Sequence, residues 1–258
     1  MGGSGRPPIP PTLGAPRHSR GAPRQCGLLT EDLGVLLAVL RFADGLFPSG
    51  GFAHSLGLET YAQDGVVRDA DTLRAFVSAH LEGGAGPADA VAAARAARAG
   101  VASDLEACVE LDQRLDAMKT VPEFRAASRQ MGRQTARAAA VSGEPYVERL
   151  AAAIDEALTP GHHAVVFGAV TGRSGASPEI AAAAFLQSTA ALLVGAALRL
   201  LPLGQLQGQR VLASMRESIA RLARRAAAAD LDDMWSFTPG LEIAGVRHAD
   251  LEGRLFRS

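Results

Sequence analysis

The sequence predicts an all-α protein, a single domain of about ten helices in an irregular bundle. Three observations carry this. Apolar residues recur at helical spacing along most of the chain, and helix-starting and helix-ending residues flank those stretches. No stretch alternates apolar and polar residues as a half-buried strand does. With 258 residues, 48% of them apolar, the chain is long enough to fill a core.

The elements follow in order. Met1 to about Gln25 is rich in Gly, Pro and Arg, with Arg6, Arg17, Arg20 and Arg24 and no acid before Glu31. It lacks the apolar block of a signal peptide, so residues 1–30 read as a disordered, weakly basic tail. Arg41 to Tyr61 is a constrained loop between helical stretches. Pro48 fixes its own φ and pushes Leu46-Phe47 toward extended geometry, while Gly50 and Gly51 permit angles closed to other residues. Phe47 and Phe52 either tuck into the core at this turn or present a surface to be read by something else.

Leu73, Phe76, Val77, His80 and Leu81 line one helix face, and His80 reads as a core histidine. Val101, Leu105, Cys108, Leu111, Leu115 and Met118 repeat the pattern, as do Leu212, Met215, Ile219 and Leu222. Ser103-Asp-Leu-Glu106 and Thr120-Val-Pro-Glu123 read as capping boxes, Ser177-Pro178 as a cap before a first-turn proline, and Asp230 as the cap of a short last helix. Stops are expected at Gly83-Gly84, Gly100, Ser142-Gly143, Pro160-Gly161, Gly172 to Gly175 and Pro202. Val165-Val166-Phe167 is the best strand candidate, but its flanks fit a helix. Ile180 to Leu201 is nearly free of charge, yet Gln187, Ser188, Thr189 and Arg199 interrupt it. It reads as a buried central helix, with no membrane span expected.

Composition narrows the function classes. A net charge of −1 argues against a dedicated nucleic-acid binder. Two cysteines, Cys26 and Cys108, make neither a disulfide framework nor a zinc knuckle and fit a cytosolic protein. Gly-x-Ser-x-Gly, His-Glu-x-x-His and Cys-x-x-Cys are absent. Gly168-Ala-Val-Thr-Gly172-Arg-Ser174 is one residue short of a phosphate loop, has Arg in place of Lys and follows no strand, so it reads as a helix-ending loop. Adjacent His162 and His163 point about 100° apart on a helix and do not chelate one ion readily. They read as a capping or solvated pair, and no metal site is expected. Arg210, Arg216, Arg221, Arg224 and Arg225 form a solvated basic face, with a rim contact to an acidic partner as the alternative.

Trp235 to Ser258 resists this sorting. It carries aromatic, aliphatic and Arg residues to the last position, where chain ends are normally polar and frayed. Residues 236–258 therefore read as a docking tail, seated on the helical domain spanning 31–235 or on a partner, and part of that domain when bound. Arg and aromatic residues are also the usual anchors of binding hot spots.

Phe42-Ala-Asp-Gly-Leu-Phe-Pro-Ser-Gly-Gly-Phe-Ala-His-Ser-Leu-Gly-Leu-Glu-Thr60, Pro202-Leu-Gly-Gln-Leu-Gln-Gly-Gln-Arg210 and Arg247-His248 through Arg254-Leu-Phe-Arg-Ser258 occur in this order. Together they resemble the signature segments of the urease accessory protein family UreF, with Arg129-Gln-Met-Gly-Arg133 a weaker fourth match. In place of the family's Glu-Asn type residues before Pro202 stand Ser, Thr, Val, Gly and Ala. The tail has Ala249-Asp250 and Glu252-Gly253 where His-Glu and Tyr-Ser are typical.

The resemblance implies an all-helical fold with no catalysis and no cofactor of its own. It implies a complex with UreD (also called UreH) and the GTPase UreG that delivers nickel to apo-urease, with this chain as a dimeric centre. Carried across by motif, Phe52, His54, Ser55, Arg247, His248, Arg254, Leu255 and Phe256 become interface residues. Among them His248, Leu255 and Phe256 secure the tail, and Pro48, Gly50, Gly51, Gly204 and Gly208 shape the loops. Two other classes are the alternatives. A ligand-responsive transcriptional regulator needs a basic helix-turn-helix, and residues 30–60 carry Glu31, Asp32 and Asp44 instead. A small all-α enzyme has only His54 beside Ser55 as a foothold.

Overall fold

A computed structural model of the chain describes residues 1–3 and 30–258. The Gly/Pro/Arg-rich stretch and Cys26 fall outside the described residues. Twelve α-helices follow one another and no strand occurs among the described residues. They are α1 (Thr30–Ala43), α2 (Leu58–Gln63), α3 (Ala70–His80), α4 (Val91–Ala102), α5 (Leu105–Met118), α6 (Pro122–Ala140), α7 (Pro145–Asp155), α8 (His163–Arg173), α9 (Pro178–Leu200), α10 (Gln205–Ser214), α11 (Arg216–Ala228) and α12 (Pro239–His248).

The core is organised by the crossing of α4 on α8, flanked by α9. Its closeness has a local cause. A Cβ on Gly168 would run into the Ala93 carbonyl, one on Gly172 into that of Ala97, and one on Gly100 into that of Ala169. The backbones therefore touch where the sequence suggested a loop: Gly168 and Gly172 lie inside α8, packed on α4, and cradle nothing. Gly132 of α6 meets the Gly161 carbonyl in the same way. Val165, Val166 and Phe167, the strand candidates, are buried within α8. Tyr146, Phe167, Leu73, Leu115, Leu150, Ile154, Leu186 and Leu193 fill the space around the crossing. Truncating any one of them costs about 2–5 kcal/mol.

α9 is the one helix among the described residues long and apolar enough to cross a membrane, and more than half of its apolar window is buried against other helices. It starts as expected, with Ser177 Oγ accepting from Ile180 N at 3.2 Å ahead of Pro178. The arginines of α10 and α11 stay exposed, and Arg221 pairs with Glu82.

Several boundaries differ from expectation. Asp104, not Ser103, caps α5, accepting from Ala107 N at 3.0 Å, while Ser103 ends α4 at φ 57°. Val101 thus belongs to α4 and is exposed. α4 continues past Gly100 to Ala102. Thr120 makes no box: Val121 precedes α6 without a side-chain cap, and Pro122 opens the helix. Asp230 starts only the short 3₁₀ turn Leu231–Asp233, and α12 follows within the stretch read as tail.

Gly83-Gly84 do not stop a helix. α3 passes into α4 through a π-helical segment, Leu81–Ala90, which carries Gly83, Gly84, Gly86 and Pro87. The glycines serve a neighbour. Gly83 O accepts from Phe237 N at 2.9 Å, Pro87 O accepts from Trp235 N at 3.3 Å, and a Cβ on Gly83 would meet Thr238. Residues 235–238 lie along this widened turn because it lacks side chains there. Rare π-helical geometry is tolerated where outside contacts support it.

Candidate protein-docking site

The segment between α1 and α2 is held by its own backbone. Asp44 Oδ1 accepts from Leu46 N at 2.9 Å, Phe47 N donates to Asp44 O, and Ser49 N donates to Phe47 O at 2.7 Å. Gly50 lies at φ 80° and Gly57 at φ 87°, conformations favourable only without a Cβ. A Cβ on Gly51 would press on Leu192 and Met131. Phe47 goes inward, edge-on to Phe42 with centroids 5.2 Å apart. Phe52 goes outward and is 75% exposed. The two rings offered by the sequence thus have opposite fates.

Leu56 is a rarer case, a non-glycine residue at φ 51°. Its strain has a visible compensation. The N–H groups of Ser55 and Leu56 converge on Ser258 O at 2.5 and 3.0 Å, and Ser55 Oγ donates to the same oxygen at 2.8 Å. His54 Nδ1 is hydrogen-bonded to Ser258 Oγ at 2.9 Å, and Arg257 N donates to Ala53 O at 2.9 Å. Burial, with the nearby charge of Arg257, lowers the pKa of His54. His54 and Ser55 therefore hold the last residues rather than each other, and no nucleophile–base pair forms.

A second clasp is built on Glu59, nearly fully buried at the start of α2. Its carboxylate accepts from Leu255 N at 2.7 Å, Phe256 N at 3.1 Å and His248 Nε2 at 3.0 Å. The other nitrogen of His248 lies 2.7 Å from Glu123 of α6, and Arg254 reaches the same carboxylate at 3.1 Å. Gly253 makes the return turn at φ 68°. Arg247 grips Asp64 with two hydrogen bonds of 2.7 and 3.1 Å. Arg199, near the end of α9, lies between the Phe52 and Phe256 rings, 3.8 and 4.1 Å from their centroids. Burial lowers its pKa.

The predicted residues thus converge from both ends of the chain but divide in role. His54, Ser55, His248 and Phe256 are buried and pin the tail. Phe52, Arg247, Arg254 and Leu255 stand on the surface. Leu255 secures the tail through its N–H alone, its side chain being 59% exposed. Gly204 precedes α10, with Gln207 Oε1 accepting from its N–H at 2.8 Å, and Gly208 packs on Val194 and Leu198. Pro48 lies in the loop as expected.

Nothing in the sequence marks Glu59, Glu123 or Arg199 as site residues. Glu59 lies in the quoted signature, but its partners are about 190 residues away in sequence. Nothing local marks a carboxylate as buried.

The histidine pair is neither solvated nor a side-chain cap. His162 is fully buried between Ser128 Oγ at 3.0 Å and Asp116 Oδ1 at 2.9 Å. His163 lies against Phe167 and Phe185. The buried Asp112 carboxylate accepts from Gly161 N and His162 N at 2.5 and 2.8 Å, the role a cap would fill at the start of α8. Among the described residues no three His, Cys, Asp or Glu side chains are grouped to hold a metal.

Fold and site together define an all-helical protein whose two sequence-distant motifs form one surface. The UreF family model matches residues 67–216. The chain is 38% identical over 233 residues to urease accessory protein UreF of Rhodopseudomonas palustris (strain BisA53), covering 87% of this chain and 93% of the relative. It is 37% identical over 228 residues to that of Rhizobium leguminosarum bv. trifolii (strain WSM2304), covering 88% and 98%. It is 32% identical over 224 residues to that of Bacillus sp. (strain TB-90), covering 86% and 99%. The chain belongs to the UreF family of urease accessory proteins.

Proposed function

We propose that this protein is a non-catalytic assembly factor of the cytosol. With UreD (UreH) and the GTPase UreG it promotes nickel incorporation into apo-urease. Residues 31–235 serve as the mount and 236–258 as the docking tail. Nickel is cargo in this reading, and the chain needs no cofactor. The observation that carries it is the convergence of loop and tail on a surface displaying Phe52, Arg247, Arg254 and Leu255, an aromatic, an aliphatic and two guanidinium groups. The GTP state of UreG would gate its association there, as switch segments order and release.

A homodimer within the complex is supported by α1. Leu33, Leu36, Leu37 and Leu40 form one helical face that is 43–65% exposed, too apolar to be left to water.

Arg254→Ala removes an exposed guanidinium from Glu123, an ion pair worth about 0–1 kcal/mol to stability. The variant is expected to fold normally and to lose UreG in a pull-down with UreD. Unchanged capture would overturn the assignment of this face. Deleting the last dozen residues is expected to abolish urease activation by the co-expressed proteins, and full activation by the truncated form would count equally against it.

A further inference from the structure

Behind the loop lies a cavity of about 770 Å³ whose rim shares Phe52 with the docking surface. Its rim carries exposed Leu46, Phe52 and Gln205, and Phe42, Phe47, Met131 and Phe185 give it apolar walls. That volume falls in the range of small-molecule sites, which are mostly apolar with a few converging polar groups.

Among its polar lining, His80, Asp89, Lys119 and His163 form one inner group, the floor, while Asp44, Ser128, Ser188, Thr189 and Arg199 line it elsewhere. Lys119, the only lysine of the chain, meets Asp89 at 2.7 Å, and both side chains are more than four-fifths buried. That single contact leaves further donors on the ammonium and a free carboxylate oxygen. His80 Nδ1 is buried with no hydrogen-bond partner. The ring of His163 makes no side-chain hydrogen bond among the described residues, although it lines the same space. Buried polar groups are normally paired, so the spare donors of Lys119 and the free oxygen of Asp89 on the cavity wall point to a missing partner.

Charge selects the partner. The floor holds one cation and one anion. Burial drives both imidazoles toward the neutral form, with pKa values of about 4. A carboxylate head would face Asp89, an ammonium would face Lys119, and a wholly apolar molecule would leave the floor unsatisfied. A neutral head with adjacent acceptor and donor satisfies both charged groups at once. We infer that the cavity binds a small amphipathic molecule with a primary carboxamide or ureido head, its carbonyl accepting from Lys119 and its NH₂ donating to Asp89. The apolar body lies between Phe42, Phe185 and Met131, and a histidine nitrogen supplies a further contact to the head. The cavity's polar end, at Lys119 and Asp89, lies apart from the docking residues Arg247, Arg254 and Leu255, none of which lines the cavity.

The test uses the full chain with its methionine methyl groups labelled, titrated with hexanamide, hexanoate and hexylamine at millimolar concentration. Hexanamide is expected to shift the Met131 methyl signal saturably, with the two charged analogues weaker by about tenfold or more. Asp89→Asn leaves Lys119 as the only charge at the floor and is expected to turn the preference toward hexanoate. Gly195→Phe fills the cavity from α9, where a Cβ meets nothing within 4 Å, and is expected to abolish the shift. Equal binding of the three probes, or no saturable shift with hexanamide, would overturn the inference. Hexanamide binding that survives Gly195→Phe would also overturn it. Should Asp89→Asn fail to fold, the three probes on the unmodified chain and on Gly195→Phe still decide.

Discussion

The α4–α8 crossing and the buried contacts that pin residues 248–258, at Glu59, His248, Phe256 and Ser258, are held by opposite means. The crossing is apolar. Gly100, Gly168 and Gly172 let two backbones touch, so its cohesion comes from dispersion and area removed from water. The clasp is polar. Its buried carboxylate on Glu59 accepts from two backbone N–H groups and an imidazole, and Ser258 O takes three more donors. An apolar crossing degrades with volume changes, whereas a polar clasp fails when one partner is left without the other. The first suits a permanent scaffold and the second an element that must find one seat.

The largest expected effect tests the crossing. Gly168→Leu forces α8 away from Ala93 and should cost 3 kcal/mol or more, the upper end of about 1–3 kcal/mol for overpacking a tight core. Thermal unfolding followed by circular dichroism should show collapse of the transition. A melting temperature near that of the parent would mean that the contact is not tight.

Next comes the clasp. Glu59→Ala leaves His248 and two amides facing an empty site, a loss of about 3–5 kcal/mol by analogy with broken buried ion pairs. It should fall on the tail, so amide exchange at Leu255 and Phe256 should rise steeply while α8 stays protected. Equal loss of protection in both would show that the two regions do not unfold separately.

Acid should sharpen the contrast further. His54, His80 and His163 all have pKa values lowered by burial from 6.5, the last two to about 4. The unfolded chain therefore binds more protons between those limits. Stability is full above pH 6.5 and falls as the pH drops toward 4. Melting temperatures across that range should decline, and His54→Asn should remove only the part assigned to the tail. A flat profile would contradict the burial of these rings.

The smallest effect serves as a control in neither region. Ser177→Ala removes the α9 cap and should cost about 1 kcal/mol in chemical denaturation, with tail and crossing unaffected.

The sequence by itself determined the helical class, the buried standing of α9, its Ser177 start, and the two motifs that meet at the clasp. Those features rest on periodicity, capping and φ restriction, which act within a few residues. Only the tertiary structure decided the rest. Gly83-Gly84 read locally as a stop, yet Phe237 and Thr238 seat on them and the helix runs through. Gly168 and Gly172 read as a loop until α4 lay against them. His54 and Phe52, two positions apart, went one inward and one outward: Ser258 returned to the first, while the second stays exposed with only Arg199 stacked on its ring. Burial and partnership belong to pairs of residues far apart in the chain, and a carboxylate such as Glu59 carries no local mark of the three donors that will find it.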